Sequence, residues 1–206
     1  MQLLVNDQPC PIAVTPESTL RDLAQAVCSA DPSSRCLVVS VHCDGQSVPN
    51  DRLESALDTP AAAFHEVALH TQPLKALVIQ SLRDAALLLD SIDAARSEAA
   101  DLIAQGHQQP AFQVLGKLFA EWRQVQETFA LCSAAMHPQG SHSGSCAADP
   151  HAPLMEHMRQ QLIELKAALQ AADLVLVGDI LSFELPEHFK RWRETLEALR
   201  KDASKR

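Results

Sequence analysis

At 206 residues the chain has room for one ordinary domain or two small ones, and 47% hydrophobic with 21% charged side chains is globular composition rather than disorder. Aromatics are 4% and Tyr is absent, so the core must be mainly aliphatic. A net charge of −9 argues against nucleic acid as a general partner, and no window reaches the roughly 18 apolar residues that a membrane span needs.

Leu3 and Val5 share one face of a first strand, Asn6-Asp7-Gln8 is a turn, and Ile12 and Val14 mark a second strand. Thr15-Pro16-Glu17-Ser18 closes this hairpin and offers Ser18 as a helix N-cap. Leu20, Leu23, Ala24 and Val27 then fall on one face of a helix that Asp31-Pro32-Ser33-Ser34 ends. Leu37, Val39, Val41 and Cys43 alternate with Val38, Ser40 and His42, which predicts a strand with the first set on one face. Asp44-Gly45 turns the chain, Val48 suits a short strand, Leu53 and Leu57 a helical turn, and Val67 and Leu69 a last strand.

This order, with a single helix after the first hairpin and the run Ser18-Thr19-Leu20-Arg21-Asp22-Leu23, resembles the ubiquitin and sulfur-carrier β-grasp family over about residues 1–71. The resemblance implies a sheet with one face under its helix and the other free for solvent or a partner. Carriers of that family act through a terminal Gly-Gly carboxylate. Residues 68–73 offer none and lead into a helical pattern, so the resemblance implies a binding surface rather than carrier chemistry.

Thr71 suits an N-cap, with Pro73 in the first turn. Leu74, Leu77, Val78, Leu82, Ala85, Leu89, Ile92, Ala95, Ala99, Leu102 and Ile103 recur at helical spacing until Gly106-His107. A second helix from near Pro110 carries Phe112, Leu115, Phe119, Trp122, Phe129, Cys132 and Met136. Gly, Pro and Ser through 137–153 predict a flexible loop. A third helix carries Met155, Met158, Leu162, Leu165, Leu169, Ala172 and Leu176. Pro186 ends it and opens a fourth, with Phe189, Trp192, Leu196 and Leu199 on one face. Leu174 to Val177 also fits a strand.

The motifs that suggest chemistry fail on spacing. His65 and His70 flank Glu66 at i and i+5, whereas a zinc-protease helix needs i and i+4, and in a strand the two point to opposite faces. His137, His142, Cys146, His151 and His157 are metal-ligand types at irregular gaps. Gly140-Ser141-His142-Ser143-Gly144 puts His where a nucleophile elbow needs Ser. The glycines form neither a dinucleotide fingerprint nor a P-loop. Cys10, Cys28, Cys36, Cys43, Cys132 and Cys146 lack Cys-x-x-Cys spacing and read as small apolar residues of a reducing compartment. Charge is uneven: net −6 over 1–72, −7 over 73–189 and +4 over 190–206, the last suited to a helix C-terminal end.

The most unusual segment is 173–186, apolar on nearly every side yet interrupted by Asp173, Asp179 and Glu184. Its carboxylates either face out and cap, or anchor basic residues of a partner. Trp122 and Trp192 belong in a core by default, and become binding hot spots if a face stays open. The helical part, with aliphatic, Met-bearing stripes and negative charge, is similar to small bacterial secretion chaperones, including those of flagellar subunits, over roughly 74–202.

The expectation is therefore an α+β chain: a small N-terminal ubiquitin-like β-grasp domain over 1–71 and a mostly antiparallel helical bundle over 72–206. It is expected to be cytoplasmic and non-catalytic, and to bind a protein as a chaperone or adaptor of a secretion or flagellar system. No cofactor, metal, nucleic acid or membrane is expected. Homodimerisation is a further option, because four uneven helices leave a stripe to cover. Candidate partner-binding residues are Trp122, Asp179, Phe183, Glu184, Phe189 and Trp192. The alternatives are an enzyme whose site assembles from distant segments and a metal-binding protein using the His/Cys-rich loop.

Overall fold

Two short turns start the fold. Asn6 and Asp7 both take left-handed backbone (φ 50° and 64°), as do Asp44 and Gly45 (φ 50° and 77°), and each pair closes a two-residue hairpin. In the computed structural model, which describes residues 1–12, 15, 17–30, 35–136 and 152–205, these hairpins join β1 (Gln2–Val5) to β2 (Gln8–Pro9) and β3 (Cys36–Cys43) to β4 (Gln46–Ser47). The chain separates into two compact units, Met1–Leu77 and Val78–Arg206.

The first unit is a five-stranded mixed sheet in the order β2-β1-β5-β3-β4, with β5 spanning Glu66–Pro73. β1 and β5 run parallel and the other pairs antiparallel. Helix α1 (Leu20–Ser29) buries Leu20, Leu23 and Val27 with Leu3, Val41, Cys43, Ala61, Val67 and Leu69. Its N-cap is Thr19, not Ser18: Thr19 and Asp22 form a reciprocal capping box, while Ser18 Oγ lies 2.6 Å from Thr15 Oγ1. Arg21 ties α1 to the short helix α2 (Leu53–Leu57) and its flank through Glu54 at 3.0 Å and Asp58 at 3.1 Å. The second strand is also displaced from expectation. It occupies Gln8–Pro9, where the tight turn puts it opposite β1, while Ile12 follows as loop and Val14 lies outside the described residues.

In β3 a bulge between Val38 and Ser40 changes the face assignment read from alternation. Val38 pairs with Thr71 and Ser40 with His70, so Val39 is the extra residue. Val38, Val41 and Cys43 face the core, while Leu37 and Val39 are exposed. Val41 and Cys43 thus share one face as the alternation predicts, and Leu37 and Val39 do not join them.

The second unit is helical: α3 (Leu74–Ala104, entered from β5), α4 (Gln108–Met136), α5 (Ala152–Gln170), α6 (Leu174–Asp179) and α7 (Leu185–Lys205). A π-helical turn over Ile180–Glu184 joins α6 to α7. Buried positions step by four and three: Val78, Leu82, Ala85, Leu89, Ile92, then Ala99 and Ile103 on α3, and Ala111, Leu115, Leu118, Trp122, Val125, Phe129 and Cys132 on α4. That is the seam of bundle packing. Hydrogen-bonded pairs run in opposite senses, Arg193–Asp90 and Leu181–Arg96, so α3 lies antiparallel to the α6–α7 arm. The pairs His157–His188 and Gln161–Glu184 make α5 antiparallel to it as well.

Several helix details differ from the sequence expectation. The stripe of α4 is rotated, so that Leu118 is buried and Phe112 exposed. On α5 the buried set is Met158, Gln161, Leu165 and Ala168, not Leu162 and Leu169. The third helix stops at Gln170, and Leu174 to Val177 is helix, not strand. Pro186 lies inside continuous helical structure rather than at a break. The expected loop at 137–153 lies outside the described residues except for Ala152 and Pro153, which begin α5.

Candidate functional site on the α6–π–α7 arm

Asp173 starts α6 by accepting a bond from the Leu176 N–H at 3.0 Å, a side-chain N-cap. Val177, Ile180, Leu181 and Leu185 turn inward and are buried. The opposite side carries Val175 (77% exposed), Asp179 and Phe183 (75% exposed), with Leu176 beside them. Val175, Asp179 and Phe183 follow one another at intervals of four positions, so they form one row along the arm. A large aromatic this open to water, one turn on from Asp179, is a feature that folding alone does not require.

The arm is held from behind by polar side chains placed in the seam. Arg96 occupies the position between Ile92 and Ala99 where the four-three spacing calls for an apolar residue. Its guanidinium donates to Asp93 at 2.7 Å and to the Leu181 carbonyl at 2.6 Å. Gln161, itself a seam residue and 8% exposed, donates through Nε2 to Glu184 at 2.6 Å. Arg193 spans Asp90 at 2.8 Å and Asp93 at 3.0 Å. Burial opposes the charge on Asp93, but hydrogen bonds from Arg96 and Arg193 outweigh it and hold this carboxyl below its ordinary value. The Arg193 pKa is raised, first by the bond to Asp93.

His188, 3% exposed, follows one turn after Glu184, and its ring lies 4.0 Å from that of the exposed His157. Burial, then the neighbouring His157 and Arg191, push its pKa down to about 4. The neutral imidazole is therefore the form that packs here. Nδ1 of His188 and Oε1 of Gln161 are buried without a hydrogen-bond partner.

The six expected partner-binding residues divide. Asp179 and Phe183 lie on the exposed row, and Glu184 sits at its inner edge, half-buried on Gln161. Trp122, Phe189 and Trp192 do not reach the surface, at 2%, 0% and 0% exposed. Their rings pack together, Trp122 on Trp192 at 5.1 Å edge-on and on Phe189 at 5.5 Å, because their seam positions point them inward. They hold the bundle and offer a partner nothing to touch. Sequence reasoning missed Arg96, Gln161 and His188. The available signal was a polar residue at a seam position in an otherwise apolar four-three series.

Among the described residues no group of three or more His, Cys, Asp or Glu is arranged to hold a metal ion. His65 precedes β5, and His70 stacks edge-on against His42 at 5.2 Å on the sheet face opposite the core. His137, His142, Cys146, His151 and the Gly140–Gly144 run lie outside the described residues. No helix among the described residues is long and apolar enough to cross a membrane.

The molecule is thus an α+β protein, and the exposed row Val175, Asp179 and Phe183 belongs to its helical unit. Residues 80–195 match the family model described as Domain of unknown function (DUF8042), and the chain belongs to that family. That stretch includes both Arg96 and the whole π turn. No curated protein and no solved structure matches the chain.

Proposed function

We propose that this is a non-catalytic, cytoplasmic protein-binding protein, a chaperone or adaptor of a bacterial secretion or flagellar system, and that it holds its partner on the α6–π–α7 arm. The observation that carries the reading is Phe183, three-quarters exposed on a π turn, in one row with Val175 and Asp179. π turns recur at functional sites, because the bulge re-aims side chains at a cost the surrounding structure must offset. Here Arg96 and Gln161 supply that support from the seam. The occupant that fits is an amphipathic segment of another protein, with an apolar face for Val175, Leu176 and Phe183 and a basic residue for Asp179. The net −7 over 73–189 favours such a basic segment on approach.

The first unit is read as a ubiquitin-like β-grasp domain. Its strand order, its parallel β1–β5 pair and the single helix across one face support that reading. Among the described residues no comparable observation favours a composite enzyme site, and the His/Cys-rich loop of the metal-binding alternative lies outside them.

The test is comparative capture from bacterial cytoplasm on full-length bait and on the Phe183→Ser variant, followed by titration of each captured protein in purified form. Helical circular dichroism confirms that both baits fold. A partner lost from the variant, with affinity down at least tenfold, supports the arm as the site. Equal retention by both baits overturns it. Sedimentation of the bait alone tells whether the row instead binds a second copy.

A further inference from the structure

The ion pair between Arg193 and Asp90, 2.8 Å long, sets the register of α7 against α3 along an open groove of about 430 Å³. The two helices run antiparallel, so seven positions back on α3 and seven forward on α7 lead to one level, about 10 Å from the ion pair. Those positions are Arg83 and Arg200, and both line the groove. The level between holds Ala86 and Leu87 on α3 and Leu196 on α7. Leu87 is 62% exposed, while Leu196 is buried and forms the floor. The charges along this groove are unequal. Arg193 is matched by Asp90 and Arg200 by Glu197 at 2.8 Å, and Lys201 adds a second cation to Glu197 at 3.6 Å. Arg83 is exposed and pairs with no acid among the described residues. The groove therefore calls for one carboxylate at its Arg83–Arg200 end, with an apolar side chain one turn away for Leu87.

The same chain carries that pattern on another surface. Asp179 is exposed and has no partner among the described residues, and Val175 and Phe183 stand one turn to either side of it. Whichever way the arm runs, seating Asp179 between Arg83 and Arg200 sets one of these apolar side chains against Leu87, because both surfaces repeat by one helical turn. Within one molecule the match is out of reach. Asp179 and Arg200 lie on one continuous helical stretch, 21 positions and so about 30 Å apart.

We propose that the α6–π arm of one copy docks in the α3–α7 groove of a second copy, with Asp179 between Arg83 and Arg200 and an apolar neighbour of Asp179 on Leu87. The inference rests on the reading of the arm as a docking surface and adds its regulation. The groove of a second copy offers the row the same basic and apolar chemistry that a foreign segment brings. Self-association and partner binding therefore compete for Asp179 and Phe183, and the balance shifts with the concentration of each.

The experiment is sedimentation velocity of the full chain over a concentration series, with Arg83→Glu and Asp179→Arg each alone and then mixed in equal amounts. Both substitutions fall on exposed helix positions, and helical circular dichroism confirms that each variant folds. The parent should self-associate, and each variant alone should do so at least tenfold more weakly. The mixture should recover association, because each variant keeps the half of the contact that the other has lost. A parent that stays monomeric up to about 0.5 mM overturns the proposal. So does association that either single variant leaves intact, or loss in both with no recovery on mixing. The arm as a site for another protein is judged separately, on Arg83→Glu bait, whose row is unaltered. A protein captured by that bait and lost only with Phe183→Ser upholds the arm reading even where the parent is monomeric. Self-association that follows the charge pattern, with no other protein captured, upholds the present inference and overturns that reading.

Discussion

Arg96 Nη1 donates a hydrogen bond to the carbonyl of Leu181, 2.6 Å away and 85 positions further along the chain. The carbonyl needs it for a reason written into the arm. In an α-helix the N–H of residue 185 would cover the oxygen of residue 181, but in the π turn the Leu185 N–H goes to the Ile180 oxygen instead. The next N–H in line belongs to position 186, which is Pro and has none. A buried carbonyl passed over by both must find another donor, and a cation in the seam of α3 provides it.

Arg96→Met should therefore destabilise the protein by about 3 kcal/mol, since it orphans a buried carbonyl and removes one of the two cations on Asp93. Restoring an N–H with Pro186→Ala gives the arm a route back to α-helical bonding. In that background the cost of Arg96→Met should fall by roughly 1 kcal/mol, a coupling that urea unfolding of the four proteins of a double-mutant cycle can measure. Additive effects would mean that Arg96 acts through Asp93 alone.

The two-unit layout was legible from the sequence because its signals are local. Asp44-Gly45 marks a hairpin, and Leu20, Leu23 and Val27 mark one helical face. Phe189, Trp192, Leu196 and Leu199 came out on the buried stripe expected of them. What was not legible depends on contacts from elsewhere. Thr19 takes the cap from Ser18 because Asp22 can answer it. Val39 is squeezed out of the ladder by pairing with β5, which flips half of β3. The candidate row was visible in part, as Asp179 and Phe183, but nothing local says that Arg96 and Gln161 converge behind it. Trp122 shows the limit from the other side. Residue type marks it as a hot-spot candidate, and only packing removes it from the surface.

The bulge makes a prediction about β3 that simple alternation reverses. Leu37→Thr and Val39→Thr should each change stability by less than about 0.5 kcal/mol, because both side chains are exposed. Val38→Ala and Val41→Ala should cost roughly 1–3 kcal/mol, Val41 more, since both pack on the core of the first unit. Chemical denaturation of the four variants decides between the two face assignments.

Ala172 takes left-handed backbone (φ 54°) where α5 ends. The Asp173 N–H bonds the Ala168 carbonyl and the Ala172 N–H bonds that of Leu169, a Schellman ending with Ala at the position glycine prefers. Gly106 fills the equivalent place after α3, at φ 81° with the same pair of bonds from Gly106 and His107. Ala172→Gly should therefore stabilise the second unit by about 0.5–1 kcal/mol, since the relief of left-handed strain exceeds the added freedom of the unfolded chain. A rise in the thermal midpoint checks it, and a fall would show that Ala172 contributes packing that outweighs its strain.

His188 should make the second unit acid-sensitive within a defined window. Its pKa is lowered from 6.5 to about 4 in the folded chain, by burial first and then by His157 and Arg191, with Glu187 opposing. Between those values the unfolded chain binds a proton that the folded chain refuses. Stability is then fully present above about pH 6.5 and falls as pH drops toward about 4, below which this group contributes no further change. A shift of this size corresponds to a loss of up to about 3 kcal/mol across the window. His188→Phe keeps a ring against His157 and removes the titration. Its unfolding free energy should decline less steeply than that of the parent between pH 6.5 and 4.5, by roughly 2 kcal/mol over that span. Parallel pH profiles for the two proteins would mean that the His188 ring opens to solvent and takes up its proton without disturbing the fold.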